Sequence, residues 1–145
     1  MTKWLLSQIK NLSANDIIFI SSHGQILDYI DSQDVIINID HHHDLGYPTD
    51  TKKNQIHCGN WAGYLLDNNL ISDYIWIKNE NSNQNKLYEN DIKQYNFSNY
   101  DLDKLSADKI ICCLSPEWIP PQYRVLFFIW MDILNEYYGV NYSLN

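Results

Sequence analysis

Four short apolar runs recur along the chain, rich in β-branched side chains: residues 16–21 (D-I-I-F-I-S), 34–40 (D-V-I-I-N-I-D), 73–77 (D-Y-I-W-I) and 108–114 (D-K-I-I-C-C-L). Runs that stay apolar rather than alternating belong to strands covered on both faces, the kind found in parallel sheets. The segments between them carry helical spacing. Residues 25–30 place Ile26, Leu27 and Ile30 at such intervals, and residues 60–70 put Trp61, Tyr64, Leu65 and Leu66 on one face. Residues 78–99, dominated by Asn, Ser, Gln, Lys and Tyr, read as a loop with one short edge strand. Pro120-Pro121 then opens a long helix, on which Leu126, Ile129, Trp130, Ile133, Leu134 and Tyr137 make a stripe expected to pack on the sheet. Strand alternating with helix, joined by right-handed crossovers, predicts an α/β fold: a mainly parallel sheet between two helical layers, with residues 1–145 as one domain.

Composition narrows the partners. The chain carries 10 Lys plus Arg against 18 Asp plus Glu, a formal charge of −8. Nucleic acids and anionic membrane surfaces are held chiefly by Lys and Arg, so neither is expected as a partner. At 145 residues, 45% of them apolar, there is material for a sizeable core. The longest apolar run, Val125 to Met131, falls far short of the roughly 20 residues that cross a bilayer. The cluster Trp4-Leu5-Leu6 is too brief for a secretion signal. Cys58, Cys112 and Cys113 are odd in number, and the adjacent pair lies inside an apolar run. They read as core thiols in a cytoplasmic protein rather than as a disulfide framework.

Ligands of open parallel sheets bind beyond the carboxyl ends of the strands, and three strand ends here are polar. The first run closes on Ser21-Ser22-His23, the second on Asp40-His41-His42-His43-Asp44, and the last on Ser115-Pro116-Glu117. Asp40, His42 and Asp44 are two residues apart, so in extended chain they project to one side while His41 and His43 point away. Joined by His23 and Glu117, they make a mixed oxygen and nitrogen shell suited to Mn, Fe, Zn or Ni. A cation would relieve the mutual repulsion of carboxylates gathered in a crevice.

The string V-I-I-N-I-D-H-H-H-D resembles the metal-binding D-x-H-x-D strand end of the arginase, agmatinase and ureohydrolase superfamily. Upstream, F-I-S-S-H-G resembles that superfamily's first metal-binding His, which puts His23 in that role. Downstream, Q-I-H-C-G-N-W-A-G-Y-L-L resembles the segment carrying its catalytic His, which points to His57. The stretch from His23 to Trp76 is closest to an arginase-related family of largely uncharacterised proteins that includes peptide arginases. The likeness covers the first half of the chain. Where the superfamily has a late D-x-D pair, this sequence has Ser115-Pro116-Glu117, leaving Glu117 as the expected ligand and Ser115 as an auxiliary. The resemblance implies an arginase-like fold and one or two divalent ions, Mn2+ foremost, with Zn2+ or Fe2+ as alternatives.

With that site assembled, the expected chemistry is hydrolysis of a C–N bond in a guanidino, amidino or amide group of a small molecule or peptide. Metal ligands would be His23, Asp40, His42, Asp44 and Glu117, and His57 would pass a proton to the leaving amine. Asn60 and Trp61 are placed to cap the helix and pack beneath the site. Three other readings compete: an arginase-fold Zn deacetylase using Asp40 and His42, a phosphoesterase of the Asp-His-His type, and an arginase-like domain that binds metal or a protein without turnover.

Overall fold

The computed structural model describes residues 2–46, 55–82, 92–115 and 119–139. Their helices are α1 (Thr2–Ile9), α2 (Trp61–Asp67) and α3 (Pro121–Tyr138), and their strands are β1 (Ile17–Ile20), β2 (Val35–Asp40), β3 (Asp73–Lys78), β4 (Lys93–Asn96) and β5 (Ile110–Cys113). Every strand pair is parallel, as the unalternating apolar runs predict, and the ladders form two sheets, β1–β5 and β2–β3–β4. The chain is accordingly α/β, and it divides into two compact units, Met1–Ile26 with Asp101–Asn145, and Leu27–Tyr100. No helix among the described residues is long and apolar enough to cross a membrane.

In the first unit β1 and β5 run in register from Ile17 opposite Ile110 to Ile20 opposite Cys113. Asp16 prepares the entry to β1, its carboxylate accepting both the backbone N–H and the hydroxyl of Ser13. Ile9 of α1, Ile17 and Phe19 of β1, and Met131 and Leu134 of α3 form a buried cluster. Phe127 meets Phe19 edge to face at 5.4 Å. Helix α3 starts at Pro121, where the missing N–H costs nothing, and stops at Gly139, whose φ of 65° lets its N–H return to the Asn135 and Leu134 carbonyls.

The face that α3 buries differs from the expected stripe. Leu126 and Ile129 are about half exposed and Tyr137 is 71% exposed, whereas Met131 and Leu134 are buried with Phe127 and Trp130 beside them. Val125 to Met131 is apolar at every position, so more than one helical stripe satisfies the spacing. Contact with Phe19 and the rest of the cluster decides between them. Two further departures are local. Residues 25–29 fall within a 3-10 helix, His23–Tyr29, with no buried residue, and α1 forms where only a short apolar cluster was evident.

In the second unit β2 pairs with β3 from Val35 opposite Asp73 to Asp40 opposite Lys78, and β4 adds to the far edge of β3. This edge strand is polar, K-Q-Y-N, and is tied at its start by an ion pair of Lys93 with Asp73. Lys93 holds the Asp73 carboxyl below its ordinary range. Helix α2 is shorter than the expected span, ending at Asp67, and buries Trp61, Ala62, Gly63 and Leu65. From β3, Tyr74, Trp76 and Ile77 are buried as well.

Candidate metal centre

The polar strand ends can now be placed within each unit. In the first, the parallel pairing of β1 with β5 brings the segments after both strands to the same end. Leu114 donates its N–H to Ile20, extending the ladder by one bond of 3.0 Å. Ser115, buried and with φ of 43°, lies with its Oγ 3.5 Å from Nε2 of His23 and 3.1 Å from Sγ of Cys113. Gln25 fixes the turn leading into His23: its Oε1 accepts from the N–H groups of Ser21 and Ser22 and from the Ser21 hydroxyl. Ser115 therefore stands beside His23, the first predicted metal ligand. Glu117 lies outside the described residues.

In the second unit the predicted alternation does not run its full length. Strand β2 ends at Asp40, the chain bends at His41 and His42, and Asp44 adopts a left-handed conformation with φ of 54°. Departure from extended geometry breaks the two-residue period. His43, expected to face away, is instead buried, and Asp44 is 3% exposed. His42 is half-buried with its ring edge to face against His41 at 4.8 Å.

Side chains from β2, β3 and α2 grip this bend. Trp76 donates its indole N–H to the Asp40 carbonyl at 3.0 Å. The Tyr74 hydroxyl donates to the His43 carbonyl at 2.7 Å and accepts from Asn38, whose amide also reaches the His42 carbonyl. Burial, and then the negative charge of Asp44, push the Tyr74 phenol well above its ordinary pKa, keeping it a neutral donor. Within the bend, Nδ1 of His43 accepts the Leu45 N–H at 2.9 Å, which leaves Nε2 to carry the ring proton of the neutral form.

Asp44 is held from α2 on both its side chain and its backbone. Its Oδ2 accepts the Trp61 indole N–H at 2.8 Å, and its carbonyl accepts the N–H groups of Ala62 and Gly63 at 3.0 and 3.3 Å. Gly63 is required by this contact: a Cβ there would stand 2.3 Å from the Leu45 carbonyl oxygen. The turn of residues 57–60 is anchored to the same segment through the bond from Gly46 N–H to the Gly59 carbonyl at 2.9 Å. His57 lies in this turn, its Nδ1 accepting the Gly59 N–H at 3.1 Å. Asn60 occupies the N-cap position of α2 without capping it by its side chain. It bonds instead to the His57 N–H and the Gln55 carbonyl, and so it fixes the turn that bears His57.

Of the predicted ligands, Asp40 and Asp44 of the second unit bring a carboxylate oxygen each to within 4.8 Å of one another, a pair that could hold a metal ion, while His23 belongs to the first unit. His42 and His57 stand outside that group. The depth of Asp44 and the indole hydrogen bond from Trp61 to it were not foreseen; the sequence reading went no further than Trp61 packing beneath the site. Cys112 behaves as the core thiol expected of it, burial and the neighbouring Cys113 pushing it up to about 11. Comparison of the chain with protein-family models, with curated proteins and with solved structures finds no match.

Proposed function

We propose that this chain is a metal-dependent hydrolase that cleaves a C–N bond in a guanidino, amidino or amide group, built as an arginase-like α/β/α domain. The carrying observation is the pair Asp40 and Asp44, gathered within 4.8 Å at the carboxyl end of a parallel strand, to which His23, at the end of another, is assigned as the third ligand. The donor set fits a divalent cation of the Mn2+ class. It offers two hard carboxylates and one imidazole, and no thiolate. Asp44 is 3% exposed and its Oδ2 accepts the Trp61 indole N–H, so a cation would meet a carboxylate whose direction is already held. Mn2+ is the first candidate, with Zn2+ or Fe2+ as the others.

The chemistry supplied by a divalent ion held there would be hydroxide at neutral pH, from a lowered water pKa, and Lewis-acid polarisation of the carbon under attack. The chain's own residues do the rest. His57, its ring held in the turn of residues 57–60 by the Gly59 N–H, would deliver a proton to the leaving amine. Ser115 beside His23 steadies that imidazole.

Protein supplied with Mn2+ and offered a panel of guanidino, amidino and acetylated compounds and arginine peptides is expected to release urea or ammonia, and His57→Ala to lower that rate at least about 100-fold. Acetate release with Zn2+ would replace this reading with a deacetylase. Metal binding with no release from any compound would replace it with a binding domain.

A further inference from the structure

The Asp44 carboxylate is held by a contact whose strength exceeds what packing alone requires. Trp61 is 1% exposed and Asp44 3% exposed, and the indole N–H meets Oδ2 at 2.8 Å across seventeen residues of sequence. The ring packs on Tyr74 at 6.2 Å, centroid to centroid and tilted 71°, so its plane has little freedom. Two N–H groups of the same helix hold the Asp44 carbonyl, and Gly63 allows that approach. Backbone and side chain of one acidic residue are thus fixed by one short helix. We infer that Trp61 is a positioning residue for a cation site: its N–H occupies one oxygen of Asp44, restricting that carboxylate to one-oxygen coordination and setting its direction.

This inference rests on the metal reading above and adds a selectivity to it. A carboxylate limited to one oxygen suits small divalent ions such as Mn2+, whereas Ca2+ gains from carboxylates free to bind through both oxygens and to adjust their angle. Loss of the indole N–H would release Oδ2. The carboxylate would then rotate, Mn2+ affinity would fall by the 10–100-fold typical of a lost outer hydrogen bond to a ligand, and discrimination against Ca2+ would narrow. A role confined to packing makes neither change.

The test measures Mn2+ and Ca2+ dissociation constants for the whole protein and three variants. Trp61→Phe removes the N–H together with some ring volume. Replacement of Trp61 by 3-benzothienylalanine keeps the bicyclic shape and exchanges N–H for sulfur, and so it retains the fold if Trp61→Phe does not. Leu65→Ala, a buried position one turn further along the same helix that gives Asp44 no hydrogen bond, controls for loosened packing. The expected result is a loss of Mn2+ affinity of about 10-fold or more in both Trp61 variants, a narrowed Mn2+/Ca2+ ratio, and affinity close to wild type in Leu65→Ala. Unchanged Mn2+ affinity in the benzothienyl protein, or an equal loss in Leu65→Ala, overturns the positioning role and leaves the metal site standing. Absence of Mn2+ binding by the wild-type protein overturns both.

Discussion

Gly63→Ala adds one methyl group where the fold has no room for it. The new Cβ would lie 2.3 Å from the carbonyl oxygen of Leu45 and 2.8 Å from its carbonyl carbon. These are backbone atoms and cannot swing aside as the end of a long side chain would. Relief to the 3.0 Å below which such contacts essentially never occur requires the start of α2 and the Asp44–Leu45 segment to part by about 0.7 Å. The bonds from Ala62 and Gly63 to the Asp44 carbonyl, 3.0 and 3.3 Å long, span that gap and would stretch beyond useful length. Overpacking of this kind costs about 1–3 kcal/mol, and two weakened bonds add about 0.5–1.5 kcal/mol each. Against this stands the helix preference for Ala over Gly, about 1 kcal/mol. A net loss of about 1–5 kcal/mol remains. Urea denaturation followed by tryptophan fluorescence would report it as a lower midpoint at unchanged slope. A variant as stable as the parent, or more stable by the helix preference, would refute the close approach of α2 to the Asp44 bend.

Other consequences follow from the same network. Tyr74→Phe strands the His43 carbonyl and the Asn38 amide in a buried setting and should cost about 1–3 kcal/mol in the same denaturation assay. Because the Tyr74 pKa is raised above its ordinary 10.0, the folded protein keeps the proton that the unfolded chain gives up, so stability should be full below pH 10 and decline as pH rises beyond it. That alkaline slope should flatten in Tyr74→Phe, as thermal melts between pH 9 and pH 11 would show. With its thiol at about 11, Cys112 should resist iodoacetamide at pH 8 until the protein is denatured, which mass spectrometry of the labelled chain would reveal. Mn2+ at about 100 times its dissociation constant should stabilise the fold by about 2.7 kcal/mol, a gain that chelator reverses and that a thermal melt measures.

Strand positions were legible because burial on both faces leaves a continuous apolar run, as in Ile17–Ile20, Val35–Asp40, Asp73–Lys78 and Ile110–Cys113. The exact edge that β4 joins was not, because its K-Q-Y-N sequence has no buried face to mark it, and its ladder bonds to β3 together with the Lys93–Asp73 pair hold it there. The buried face of α3 was ambiguous for the opposite reason: an excess of apolar positions. At the site, the residue types in D-H-H-H-D pointed to metal chemistry, but their directions depended on whether the strand continued. It does not. Past the left-handed turn at Asp44 the two-residue period is lost and His43 is buried, and the partners that hold this bend are Trp61, 17 residues beyond Asp44, and Tyr74, 31 beyond His43. Contacts at that separation leave no local pattern.

Metal content of protein purified without chelator bears most directly on whether His23, Asp40 and Asp44 act together. Elemental analysis should find about one divalent ion per chain, or two if a bridged pair forms, and His23→Ala, Asp40→Asn and Asp44→Asn should each lose it while keeping the circular dichroism of the folded protein. A metal-free wild-type chain that takes up no Mn2+, Zn2+ or Fe2+ on dialysis, or variants that retain the ion in full, would contradict a shared cation site.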